Sequence, residues 1–184
     1  MRTRDLDKQL RIKKAMVSLI LKEGIDGLSM SKIAAEAGVS PATIYVYYDS
    51  KEDMLAEVFS EYSRQSYYYL MQRLNDQMSA ADLIAAIVEG IYDYSRENEE
   101  IFSFVEQCSC CPGIQNTVCQ SDCSLAIFDL IHQYQRRGEV RYYSDENLSA
   151  VLFSPVRYLV INHRTCERNE LEELIEMMQR MLLL

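Results

Sequence analysis

Residues 28–54 read Leu-Ser-Met-Ser-Lys-Ile-Ala-Ala-Glu-Ala-Gly-Val-Ser-Pro-Ala-Thr-Ile-Tyr-Val-Tyr-Tyr-Asp-Ser-Lys-Glu-Asp-Met, and this stretch decides the fold. Ser29 stands where a helix wants its N-cap, and Ile33, Ala34 and Ala37 follow at the spacing of an inner helical face. Gly38 comes where the chain must turn sharply, since glycine reaches positive φ without a Cβ clash. Ser40 offers a second N-cap, with Pro41 at the first helical position, where a missing N–H forfeits no helical hydrogen bond. In this second helix Ile44 and Tyr47 face one way, leaving Ala42, Thr43, Tyr45 and Val46 to project elsewhere. Ser50, with Asp53 three residues on, starts a third helix in a near-capping-box arrangement. A helix, a glycine turn and a polar-started second helix make the helix-turn-helix pattern, whose second helix enters the DNA major groove.

From about Arg11 to Phe59, roughly a quarter of the chain, the sequence resembles the N-terminal domain of the TetR family of bacterial transcriptional repressors. The matching pieces are Ala15, Gly24, Ser29-Met30, Ile33-Ala34, Ala37-Gly38-Val39-Ser40, Thr43-Ile44-Tyr45, Tyr47-Tyr48, and Ser50-Lys51-Glu52 with Leu55. A lone Gly-Val-Ser would say little; the ordered run, with caps and turns where the backbone needs them, is specific. The resemblance implies that Thr43, Tyr45, Tyr47, Tyr48 and Lys51 touch an operator, chiefly its phosphates, which hydroxyl and ammonium donors suit. It places Ser31, Pro41 and Ala42 where base-edge contacts occur, and Pro41 and Ala42 can offer only apolar contact, for instance to thymine methyls. Tyr47 fits the core as well as it fits DNA. The second helix has no Arg, Asn or Gln, so the operator sequence is not readable from it.

The net charge of −9 is at odds with DNA binding until it is divided along the chain. Residues 1–51 hold nine Lys/Arg against six Asp/Glu, a surplus of +3, while the remainder sums to −12. The basic surface is thus expected at one end, on an acidic body that discourages non-specific contact with nucleic acid. An apolar content of 48% marks a globular chain rather than a disordered one. The sequence holds no apolar run of membrane-spanning length, and its charged N-terminus lacks the apolar segment of a signal peptide. A cytoplasmic location with no membrane partner is the resulting expectation.

Beyond residue 51 the periodicity is helical throughout, so the fold expected is all-α. Residues 1–50 are expected to form the helix-turn-helix domain and residues 51–184 a helical ligand-binding and dimerisation domain. Helices are predicted over Lys51 to about Asn75, Ala80 to about Ser95, Glu99 to Cys108, and from Val118 to Gly138. Leu148, Leu152, Val156 and Leu159 form one later apolar stripe, and Leu171, Leu174, Ile175 and Met178 another. The second runs on into Leu182-Leu183-Leu184. Two apolar stripes with a leucine tail suggest half of a twofold interface, and the resemblance implies a four-helix homodimer seam from these segments. The alternative is that both stripes pack within their own domain.

Thirteen tyrosines supply rings with polar tips, a composition suited to an amphipathic ligand cavity. The family likeness implies a small-molecule effector site in the body, for which Tyr62, Tyr92, Phe102, Cys108, Phe128 and Tyr158 are the candidates. Cys108, Cys110, Cys111, Cys119 and Cys123 cluster, with Cys166 apart, but their spacing is not a doubled Cys-x-x-Cys. Neither a bound metal nor a cofactor is therefore expected, although a thiol- or metal-responsive regulator is an alternative. No nucleophile–base–acid set or cofactor loop is visible, so an enzyme is not expected. The reading is a homodimeric DNA-binding regulator, a repressor released from a palindromic double-stranded operator by a small effector. An architectural DNA-binding protein without effector is the other alternative.

Overall fold

Each span of helical periodicity is a helix in the computed structural model, which describes residues 2–109, 122–162 and 168–184. The elements are α1 (Arg2–Glu23), α2 (Met30–Ala37), α3 (Pro41–Ile44), α4 (Lys51–Met71) and α5 (Ala80–Glu97). They continue with α6 (Glu99–Ser109), α7 (Asp122–Arg136), α8 (Asp145–Leu152), α9 (Ser154–Asn162) and α10 (Arg168–Leu182). Among the described residues the β-type pairing is a single isolated antiparallel bridge, Val140 to Leu183. The expected helix start at Val118 lies outside the described residues.

Contacts divide the chain into two compact units, one of Met1–Ser63 with Glu100–Val118 and one of Arg64–Glu99 with Cys119–Leu184. This division differs from a boundary at residue 50, and side-chain burial gives the reason. Met54, Val58 and Phe59 of α4, and Phe104, Val105 and Cys108 of α6, share one buried cluster with Ile12, Met16, Ile20, Ile33 and Ile44. The core of the first unit is therefore completed by residues remote in sequence. A partly buried ion pair, Lys13 with Glu61, ties α1 to α4 at its edge.

In the second unit α5 is the central helix, burying Leu83, Ile84, Ile87, Val88, Ile91 and Tyr94 and packing on α8, α9 and α10. Gly90 permits a close approach: a Cβ there would lie 2.6 Å from Leu70 Cδ2. The fully buried Tyr134 of α7 donates its hydroxyl to the carbonyl of Met78 (2.8 Å), fastening α7 to the α4–α5 loop. Buried polar groups need such partners, since an unmet one costs about 1–3 kcal/mol.

The two C-terminal stripes require correction. Leu148, Leu152, Val156, Leu171 and Met178 are all at most 7% exposed within their own unit, so they are core rather than an open seam. Leu159, Leu174 and Ile175 are half-buried. The physical reason is that α10 is apolar on two adjacent faces. Leu171, Met178 and Leu182 turn inward, whereas Met177 and Met181 are 56% and 48% exposed. The leucine tail is not loose either: Arg141 donates its backbone N–H to Leu182 O (2.8 Å) and its Nε–H to Leu183 O (2.9 Å).

Candidate nucleic-acid interface

Local chemistry shapes the head from its caps outward. The Ser29 side chain accepts from Lys32 N (3.3 Å) to start α2. Gly38 ends it at φ 64°, its N–H reaching the Ala34 and Ala35 carbonyls. Arg11 Nη1 donates to Ala37 O (3.2 Å), placing a cation on the carbonyl end of α2 and holding α1 against it. Ser40 Oγ accepts from Thr43 N (3.3 Å) and lies 2.9 Å from Thr43 Oγ1, so α3 begins with its first donors occupied. Ser50 repeats the device for α4, accepting from Asp53 N at 3.0 Å.

These caps fix which way α3 faces. Ile44 and Tyr48 point inward at 0% and 3% exposure, and Thr43 and Tyr47 are half-buried. Pro41 and Ala42 are exposed, as are Tyr45 at 56% and Val46 at 78% one turn later. Ser31 on α2 is exposed too, and Lys51 at the start of α4 is half-buried, its Nζ 3.7 Å from Glu52. Ser31, Pro41, Ala42 and Tyr45 are therefore open to solvent, with Thr43, Tyr47 and Lys51 at the margin.

Tyr48 is the exception, and its expected phosphate contact is corrected. Its hydroxyl is buried without a hydrogen bond of normal geometry. Burial pushes its pKa up to about 12; the approaching Gln9 side chain offsets part of that rise, and Glu57 and Glu61 add to it. A hydroxyl so enclosed braces the core and cannot reach a phosphate. Val46 was not singled out as a contact residue. The signal for it was present, since it lies one helical turn beyond Ala42, on the side away from Ile44.

The candidate effector residues divide between the units. Tyr62, Phe102 and Cys108 belong to the first, where Tyr62 meets Phe104 edge-on (5.9 Å, 86°) and Cys108 is fully buried in the core. Tyr92, Phe128 and Tyr158 belong to the second. Phe128 is half-buried, 6.4 Å from Phe153, which in turn lies 6.3 Å from Tyr67. Tyr158 is corrected from an interior to an open position: it is 63% exposed and lines an outer groove with Pro155, Leu159, Leu174 and Met177. The thiols of Cys110, Cys111, Cys119, Cys123 and Cys166 lie outside the described residues. Among the described residues no helix is long and apolar enough to cross a membrane.

Residues 12–58, which contain α2, α3 and the caps just described, match the bacterial regulatory proteins of the tetR family. Residues 12–58 thus form a TetR-family N-terminal domain. The likeness extends to the fatty acid metabolism regulator protein of Bacillus subtilis, 32% identical over 81 residues, which are 44% of this chain and 42% of that protein. The match thus spans less than half the length of that curated relative. In fold, a TetR-family regulator from Marinobacter aquaeolei superposes with a TM-score of 0.86 at 22% identity, covering 100% of this chain and 99% of that one. Bacillus subtilis FadR, crystallised with stearoyl-CoA, gives a TM-score of 0.73 at 21% identity over 95% and 97%. The N-terminal part is therefore a helix-turn-helix domain of the kind found in bacterial transcriptional regulators, and it is followed by a helical C-terminal part with the fold of the TetR-type structures.

Proposed function

We propose that this regulator is a homodimeric cytoplasmic repressor that grips a palindromic operator and is released by a small amphipathic effector. The observation that carries this reading is the outward set Pro41, Ala42, Tyr45 and Val46, locked in orientation by Ile44 and Tyr48 beneath it. Lys51 at the N-terminus of α4 adds a cation where a phosphate is favoured by both charge and helix dipole. A second copy is supported by the apolar residues left open on α9 and α10: Tyr158, Ile161, Met177 and Met181 are 48–63% exposed. A patch of this kind is one that a twofold partner covers.

For the effector, the half-buried rings of Tyr67 and Phe128 around Phe153 give the second unit an aromatic wall. FadR of Bacillus subtilis has been crystallised with stearoyl-CoA, and a long-chain acyl thioester is the class we carry over. A ligand that prefers the released state 100-fold supplies about 2.7 kcal/mol of coupling, enough to empty an operator by population shift.

The test is a gel-shift titration on duplex DNA at several salt concentrations. Tyr45→Phe combined with Lys51→Ala should weaken binding about equally across sequences, and loss of the lysine contact should flatten the salt slope by about one. Unchanged affinity removes this surface from the interface. Stearoyl-CoA should raise the melting temperature of the free protein and release it from DNA; neither effect at saturating ligand excludes the acyl class.

A further inference from the structure

We propose that the head selects its operator by packing the aliphatic side chains of Ala42 and Val46 against thymine 5-methyl groups in the major groove. This rests on the operator-binding reading above and deepens it. Base edges are normally told apart by paired donors and acceptors: arginine or lysine on guanine, asparagine or glutamine on adenine. The outward positions of α3 and its following turn are Pro41, Ala42, Tyr45 and Val46. Three of these carry no polar side-chain atom, and Tyr45 carries one hydroxyl at the tip of a long ring, suited to a backbone phosphate.

Val46 is 78% exposed and sits two residues after the fully buried Ile44, on the opposite side of the segment. It cannot rotate inward, because Ile44 and Tyr48 already occupy the core side of the segment. The backbone beneath is closed by hydrogen bonds from Tyr47 N to Ile44 O (2.8 Å) and from Tyr48 N to Ile44 O (3.0 Å). A β-branched side chain is stiff at χ1, so Val46 presents two methyl groups in a defined direction rather than a mobile chain. Ala42, one turn earlier, adds a third. The apolar feature that the major groove offers such a surface is the thymine methyl, absent from guanine, adenine and cytosine.

The experiment begins with selection of preferred sites from random duplex DNA by the full-length wild-type protein. Each thymine of the selected half-site is then replaced by deoxyuridine, which removes the methyl and leaves every hydrogen-bonding group in place. At one or two positions per half-site binding should weaken about fourfold per methyl. Val46→Ala should lose the dependence at one of those positions and keep it at the other; the open position of residue 46 leaves the fold of this variant intact. Uracil sites that bind as tightly as thymine sites, or a Val46→Ala variant with undiminished methyl sensitivity everywhere, overturn the inference while site-selective binding stands. A protein that selects no site overturns both this inference and the operator reading.

Discussion

Val46 in the first unit and Met177 in the second are both apolar residues left open on or just beyond a helix, at 78% and 56% exposure. They arrive there by different routes. In α3 the orientation is set locally: Ser40 starts the helix, Gly38 sets the approach, and Ile44 and Tyr48 take the inner side. In α10 nothing local decides. Its two adjacent apolar faces are equivalent by composition, and competition for the same core settles that Leu171, Met178 and Leu182 go in while Leu174, Met177 and Met181 are left wholly or partly open. A capped turn carries its own instructions, whereas a doubly apolar helix is instructed by its neighbours.

The largest effect expected from disturbing this contrast is on the inner stripe. Val156→Glu buries a carboxylate at a position with 0% exposure and should cost about 4 kcal/mol or more. Leu174→Glu with Met177→Glu, on the open side, should leave the melting temperature near wild type and convert dimers to monomers in sedimentation. If Val156→Glu melts normally and is the variant that dissociates, the two stripes have been assigned the wrong way round.

A middle effect is expected at the glycine turn. Gly38→Ala forces a side chain into φ +64°, where the nearest atom to a new Cβ is Arg11 Nη1 at 3.8 Å. The cost is therefore conformational rather than a clash, about 1–2 kcal/mol, and hydrogen exchange should show it as faster opening of α2 and α3. An unchanged exchange rate would mean that the turn relaxes to another geometry and does not hold α3 in place.

Tyr48→Phe should have the smallest effect at neutral pH, gaining at most about 1 kcal/mol because it removes an unsatisfied buried hydroxyl. Operator affinity should not change, which separates a core residue from a phosphate contact. The pH dependence has a definite sign. Burial raises the folded-state pKa to about 12, from 10, so the native state prefers the neutral phenol. That contribution is complete below pH 10 and is lost as pH rises toward 12. Wild type should therefore lose stability relative to Tyr48→Phe across this alkaline window. Parallel urea titrations that stay parallel there would contradict the burial of the hydroxyl.

The head was almost wholly legible because caps, glycine and proline act within a few residues of themselves. Ser29, Gly38, Ser40, Pro41 and Ser50 all stand in the roles their chemistry predicts. Tyr48 was not legible, since Tyr47 and Tyr48 stand three and four residues after the inward Ile44, both spacings suit one helical face, and only packing turns Tyr48 fully inward. For the C-terminal helices, periodicity located Leu148, Leu152, Val156, Leu171 and Met178 on apolar faces. It could not say that α5 would cover those faces, because that depends on packing between segments far apart in sequence.

The cluster that joins Phe104, Val105 and Cys108 to Ile12, Met16 and Phe59 bears on how the chain folds. The two units are interleaved along the sequence, with residues 64–99 of the second lying between the two parts of the first. A nascent chain that has exposed only the helix-turn-helix lacks the side chains that close its core, and must wait for α6 to emerge. Contacts this distant add a loop-closure cost before they return any stability, so the head should fold more slowly than a self-contained three-helix domain. The reading end of this regulator is thus written first and finished late.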